Sequence, residues 1–219
     1  MISRSVENYL KTIFLLSEAG DISVGTNSIA KKLKTQPSSV TDMIKKLTSK
    51  RLLRYEKYKG VQLTTKGKIL ATSIVRKHRL WETFLFEKLG FSWDEVHDIA
   101  EQLEHIKSDK LVNSLDKFLE HPQFDPHGDP IPNHEGDFPE SNSIPLNEIG
   151  KAEKGIIMGV LEDSTDFLQL LDKAKIKIGD EISVDDIMQF DKSMDIRINN
   201  RIHHVSLDVA KNILVKRKK

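Results

Sequence analysis

Cysteine is missing from this 219-residue chain. That removes a disulfide framework and any thiolate metal site. No apolar run approaches the length a bilayer-spanning helix needs, and the N-terminus lacks the apolar core of a secretory signal. A cytoplasmic protein without a membrane partner is therefore expected. Proline is scarce except in one place: six of the seven lie between Pro122 and Pro145. With Gly128 and Gly136, they mark that stretch as a linker rather than a core element. The length suits two or three small domains. The balance of 38% hydrophobic and 31% charged residues suits a soluble, highly charged chain.

The charge that is present is unevenly spread. The formal net charge is only +1, yet residues 1–72 carry 14 Lys/Arg against 5 Asp/Glu, residues 73–148 carry 7 against 16, and residues 149–219 carry 13 against 12. A basic block suits a polyanion partner and an acidic block suits a cation. Solvated surface would explain one such block more readily than two of opposite sign side by side.

Within the basic block, Val6, Tyr9, Leu10, Ile13, Phe14 and Leu16 predict a helix over residues 3–17, broken at Gly20-Asp21. A short helix capped by Asn27 or Ser28 buries Ile29, Ala30 and Leu33. A third helix opens at Pro37-Ser38-Ser39 and buries Val40, Met43, Ile44 and Leu47. Strands over 52–58 and 61–64, joined at Lys59-Gly60, read as a hairpin. This is the order of a winged helix-turn-helix. Ser38, Ser39, Thr41, Asp42, Lys45 and Lys46 would face DNA from the third helix, and Lys57 and Lys59 from the wing. A small basic helical domain without a nucleic-acid role is the alternative; element order and charge together favour double-stranded DNA.

The acidic block begins with a long helix over 65–89, ended by Gly90. Ser92 and Glu95 form a capping box that starts the next helix at Trp93, and that helix is expected to run through His105. A helix over 108–120 lines up Leu111, Leu115, Phe118 and Leu119, which a homodimer partner would cover. Past the linker, strands over 155–162, 181–184, 187–190 and 195–198, with a helix over 166–173, read as a small β domain. The run Lys216–Lys219 reads as a solvated tail. The fold class is thus mainly α with a small β domain, divided at 1–72, 73–121, 122–148 and 149–219.

Six residues carry metal-ligand chemistry. His78 and Glu82 stand one helical turn apart, and His97, Glu101, Glu104 and His105 follow i, i+4, i+7, i+8 spacing, so each set shares a face. Imidazole and carboxylate donors without thiolate suit Mn²⁺, Fe²⁺, Co²⁺ or Zn²⁺, and a high oxygen share leans toward the harder ions. An ordinary interhelical network of hydrogen bonds and ion pairs is the alternative.

The segments Arg76-Lys77-His78-Arg79-Leu80-Trp81-Glu82 and Val96-His97-Asp98-Ile99-Ala100-Glu101-Gln102-Leu103-Glu104-His105 resemble the diphtheria toxin repressor family of iron- and manganese-dependent regulators. Pro126-His127-Gly128-Asp129-Pro130-Ile131-Pro132 and Glu7-Asn8-Tyr9-Leu10 are similar to it as well. The resemblance implies an N-terminal winged helix, a helical dimerisation domain and a C-terminal SH3-like β-barrel. It also implies two metal sites per subunit, for Mn²⁺ or Fe²⁺. His78, Glu82 and His97 match the ancillary site, with Asp163 and Asp166 at the positions that complete it. Glu101, Glu104 and His105 match the regulatory site. Glu101, where iron-type members have cysteine, favours manganese. At the first-helix ligand position this chain has Asn8, a neutral donor, with Glu7 as the alternative, and Lys11 replaces a second N-terminal carboxylate. A metal-dependent, dimeric, operator-binding repressor is implied, not an enzyme. A metal-dependent hydrolase with an accessory DNA-binding domain and a metal-independent winged-helix module are the competing classes.

Overall fold

The computed structural model describes residues 2–20, 22–56, 59–162 and 164–218. Lys57 and Asp163, with Tyr58 of the expected first strand, lie outside the described residues. In chain order the elements are α1 (Arg4–Leu16), α2 (Thr26–Lys32), α3 (Pro37–Ser49), β1 (Leu53–Glu56), β2 (Gly60–Leu63), α4 (Thr65–Leu89), α5 (Trp93–Leu103), α6 (Asp109–Phe118), β3 (Ile144–Pro145), β4 (Lys154–Val160), α7 (Thr165–Ala174), β5 (Glu181–Ile187), β6 (Met194–Ile198), β7 (Arg201–Val205), α8 (Leu207–Asn212) and β8 (Ile213–Lys218). Among the described residues, no helix is long and apolar enough to cross a membrane. The chain forms two compact units.

The first unit runs to His78 and includes residues 101–112 and 132–138. The Ser3 hydroxyl accepts the Val6 N–H and starts α1, as an N-cap does. Leu10 and Ile13 from α1 meet Ile29 of α2, Val40, Ile44 and Leu47 of α3, and Val61 of β2 in one core. Each such fully buried aliphatic side chain contributes roughly 1.5–3 kcal/mol. α2 begins at Thr26 with Gly25 as its cap, ahead of the expected Asn27 or Ser28. Pro37 is the first residue of α3, so Gln36 before it is held extended, because proline disfavours helical backbone in its predecessor. β1 and β2 pair antiparallel from Leu53↔Leu63 to Glu56↔Gly60. Val24 adds a bridge to Val61, with both N–H···O bonds at 2.9 Å. Gly60, at φ +104°, could carry no side chain there: a Cβ would come within 2.6 Å of the Val24 carbonyl oxygen.

The second unit holds residues 79–100, 113–131 and 139 onward. Its antiparallel six-stranded sheet has the order β3-β8-β4-β5-β6-β7. Ile157, Leu171, Ile196, Ile213 and Val215 are among the side chains that fill its core.

Three sequence expectations change here. The basic C-terminal run is not a free tail: Lys216, Arg217 and Lys218 keep exposed side chains, but their backbone ends β8 and pairs with Ile156, Gly155 and Lys154 of β4. Residues 188–190, expected within a second strand, leave the sheet for a turn. The strand expected over 181–184 runs on as β5 through Ile187, with its pairing to β6 shifting between Val184 and Asp186. A bulge of this kind breaks the alternation that a sequence reading follows. The proline-rich stretch is not a tether. Asp125, Pro126, His127, Ile131 and Pro132 are buried, and Ile144–Pro145 pairs with β8 as β3. Part of the stretch is therefore packed rather than solvated.

Candidate metal centre

In the first unit, α1 presents Glu7, Asn8 and Lys11 on one side, at i, i+1 and i+4. They meet His78 from α4 and the residues at and after the end of α5. That helix stops at Leu103, so Glu104 and His105 lie in the turn that follows. The expectation of a helix through His105 is corrected accordingly: Ile106 N–H bonds back to the Leu103 carbonyl at 3.0 Å, which closes a turn. The turn delivers Glu104 to the interior at 1% side-chain exposure. Glu104 Oε2 lies 2.7 Å from His78 Nδ1 and 2.7 Å from Lys11 Nζ. Lys11 Nζ also donates to Glu101 Oε1 at 3.1 Å. Glu7 Oε2 is 2.6 Å from His105 Nδ1, and His105 Nε2 is 3.9 Å from Glu104 Oε1. Burial holds the Lys77 ammonium below its ordinary range, opposed by Glu7, Glu104 and Asp109.

These donors suit a hard divalent ion. They are carboxylate oxygens and imidazole nitrogens already brought together from three chain segments. Asn8 Oδ1 adds a further sign: it is buried and has no hydrogen-bond partner among the described residues. A buried orphan acceptor costs about 1–3 kcal/mol, which a coordinated cation would recover.

In the second unit a separate cluster forms around Glu82, itself 3% exposed. His97 Nδ1 lies 3.2 Å from Glu82 Oε1, and His127 Nδ1 lies 3.9 Å from Glu82 Oε2. Ligand atoms of Glu82, Asp125 and His127 all fall within 4.8 Å of one another. His127 Nε2 sits 3.0 Å from the Trp93 carbonyl oxygen. Donation there leaves the Nδ1 lone pair free to face the carboxylates, the arrangement that orients a ligating imidazole. Asp125 Oδ1 accepts the N–H groups of His127 and Asp129 at 2.8 and 2.9 Å. Its Oδ2 is buried without a hydrogen-bond partner among the described residues, 3.7 Å from Arg79 Nε. Burial raises the Asp125 carboxyl well above its usual range, with Glu82 and Asp129 adding to the shift and Arg79 opposing it.

Sequence reasoning missed Asp125 and His127 as donors. The available signal was the Asp-Pro-His-Gly-Asp run, an Asx turn that could hold its own carboxylate and imidazole. Asp166, expected to join this site, is exposed in the first turn of α7.

Gly128 anchors the turn. At φ +86°, a Cβ there would come within 2.2 Å of the Met158 carbonyl oxygen and 2.3 Å of Gly159 Cα. Gly128→Ala is expected to cost about 2 kcal/mol or more in stability, from strain and overlap together. Thermal unfolding tests this, and an unchanged midpoint would mean the turn is not docked on β4.

Ser38, Ser39, Thr41, Asp42, Lys45 and Lys46 are all exposed on α3, and Lys59 is exposed in the turn before β2. Lys45 pairs with Asp42 at 3.3 Å and Lys59 with Glu56 at 2.8 Å. Exposed pairs of this kind are weak and readily exchanged for phosphate.

Three family models match the chain in succession. Residues 1–61 match the iron dependent repressor N-terminal DNA binding domain. Residues 64–133 match the iron dependent repressor metal binding and dimerisation domain, and residues 144–217 match the FeoA domain. The chain is 36% identical over 128 residues to the iron-dependent repressor IdeR of Mycobacterium leprae, covering 58% of this chain and 55% of that protein. It thus spans about half the length of that curated relative. A manganese-dependent transcriptional repressor solved in complex with manganese shares 31% identity at a TM-score of 0.85, over 97% of this chain and 100% of the other. The manganese regulator SloR shares 36% identity at a TM-score of 0.75, over 97% and 98%. With two repressor domains in tandem and a solved repressor matched from end to end, the chain belongs to the iron-dependent repressor family, the diphtheria toxin repressor family that its His and Glu motifs resemble.

Proposed function

We propose that this protein is a metal-dependent transcriptional repressor that binds operator DNA as a homodimer when loaded with Mn²⁺ or Fe²⁺, and so controls genes of metal-ion homeostasis. The observation that carries this reading is the convergence of donors in the first unit. Glu7 and Asn8 belong to the helix that opens the DNA-binding domain, and Glu101, Glu104 and His105 belong to the metal-binding segment. A divalent ion held by both would supply the positive charge these carboxylates share. It would also fix α1 against the residues that follow α5, biasing the domain toward a DNA-competent arrangement. A bias of a few kcal/mol is enough for such a switch. Glu101 where iron-type members have cysteine favours manganese. A second ion would use Glu82 and His97 of the second unit, with Asp125 and His127 beside them. Glu82, Asp125 and His127 are all buried. Of the side chains in and just after α6 expected to meet a homodimer partner, Leu111 at 41% and Phe118 at 60% are exposed and would face it, whereas Leu115 and Leu119 are buried within the chain itself.

The test is a titration of promoter duplex with the metal-free protein, alone and with Mn²⁺, Fe²⁺ or EDTA. Binding that appears with metal and is lost with EDTA supports the proposal, whereas binding indifferent to EDTA supports a metal-independent winged-helix protein. Lys45→Ala is expected to weaken binding across sequences and to lower the slope of log K against log salt by about one phosphate contact. An unchanged slope would remove Lys45 from the DNA face.

A further inference from the structure

Lys11 is the odd member of the first cluster. A lysine is seldom fully buried unless paired, and this one is 6% exposed on α1 among carboxylates. Its ammonium bonds Glu104 at 2.7 Å and Glu101 at 3.1 Å. These are two of the donors that the proposed function assigns to the regulatory ion. Glu104 Oε2, the atom nearest to Lys11, is also the one beside His78, so the carboxylate's inner oxygen is already committed to cationic or donor groups. A divalent ion cannot take both glutamates while an ammonium sits between them, because two like charges would share one pair of carboxylates at contact distance.

We propose that Lys11 is a tethered substitute cation. In the metal-free chain its ammonium neutralises Glu101 and Glu104 and ties α1 to the segment after α5. An arriving ion must displace it. The four-carbon stem is long and flexible enough to carry the ammonium out to solvent. Only the fraction of molecules with the ammonium withdrawn can bind the ion, so the apparent affinity is the intrinsic one multiplied by that fraction. Lys11 thereby sets the metal concentration at which the repressor responds, and it disfavours ions too weakly charged to compete with an ammonium. This deepens the proposed function and rests on Glu104 and its neighbours being the regulatory site.

The experiment is a calorimetric titration of the metal-free full-length protein with Mn²⁺, with no DNA present, comparing wild type with Lys11→Gln, Lys11→Arg and Glu104→Gln. Lys11→Gln is expected to tighten Mn²⁺ binding at the step that Glu104→Gln abolishes, by about tenfold or more. It should also lower the melting temperature of the metal-free protein, and Mn²⁺ should restore it. Lys11→Arg, which keeps the charge, should not tighten binding. Equal or weaker affinity in Lys11→Gln would overturn the role of Lys11 while leaving the site assignment standing. If Glu104→Gln removes no Mn²⁺ binding step, the site assignment fails and the Lys11 proposal falls with it. A crystal structure of the wild type grown with Mn²⁺ gives a check that needs no variant. Nζ beyond hydrogen-bond reach of Glu104 supports displacement, and Nζ still held between the two glutamates overturns it.

Discussion

Glu104→Ala is expected to abolish metal-dependent DNA binding while leaving the dimer intact. Glu104 sits among three other members of the first cluster. Its carboxylate pairs with Lys11 and His78 and lies 3.9 Å from His105, and only 1% of it is exposed. Removing it deletes a ligand and leaves the Lys11 ammonium buried beside Glu101 alone of the two glutamates. Breaking a buried pair from one side typically costs about 3–5 kcal/mol, so the metal-free variant should also melt earlier. Glu104→Gln separates the two effects, because the amide keeps the volume and one acceptor oxygen but cannot neutralise a divalent ion. Metal affinity should fall by more than the roughly 10–100-fold seen when only an outer partner of a ligand is removed. Fluorescence anisotropy of a labelled operator, with and without Mn²⁺, reads the loss. Metal activation equal to wild type in Glu104→Gln would place the regulatory ion elsewhere.

The parts of this centre that sequence disclosed are those set by local rules. Helix α4 spans Thr65–Leu89, the range expected from the sequence, and Gly90 at φ +73° ends it. α5 starts at Trp93 because the Ser92 N–H donates to the Glu95 carboxylate at 2.9 Å, closing the capping box. The winged helix was legible for the same reason: Pro37, the Lys59-Gly60 turn and the apolar stripes act over a few residues. What stayed hidden depends on partners distant in the chain. Helical spacing puts His97, Glu101, Glu104 and His105 on one face, yet it cannot show that the helix unwinds after Leu103. Nor can it show that the inner oxygen of Glu104 meets Lys11, 93 residues away. Asp125 and His127 were concealed by composition, since a Pro- and Gly-rich run looks the same whether it is solvated or packed under a sheet. β8 was concealed by charge: Lys216, Arg217 and Lys218 are exposed, and they hide that Ile213 and Val215 lie in the core.

Asp125→Asn should reverse its effect on stability according to whether metal is present. In the folded chain, burial raises this carboxyl, Glu82 and Asp129 raise it further, and Arg79 only partly opposes them. The folded protein therefore holds its proton to a higher pH than the unfolded chain, whose aspartate titrates at about 3.9. The stability tied to that proton is complete below the unfolded value. It is lost as pH rises through the folded one, at about 1.4 kcal/mol per unit of separation. Asparagine carries no such proton. Without metal, Asp125→Asn should thus gain on wild type as pH rises, in unfolding midpoints measured across the acid-to-neutral range. With Mn²⁺ present the order should invert, because the ion supplies the positive charge that Arg79 alone does not, and the carboxylate then stabilises the fold by binding it. Parallel profiles for the two proteins in both conditions would mean that Asp125 neither carries the raised carboxyl nor holds an ion. The two arms read one expectation from opposite sides: burial and then the neighbouring Glu82 disfavour an ionised Asp125, and a cation there would offset both.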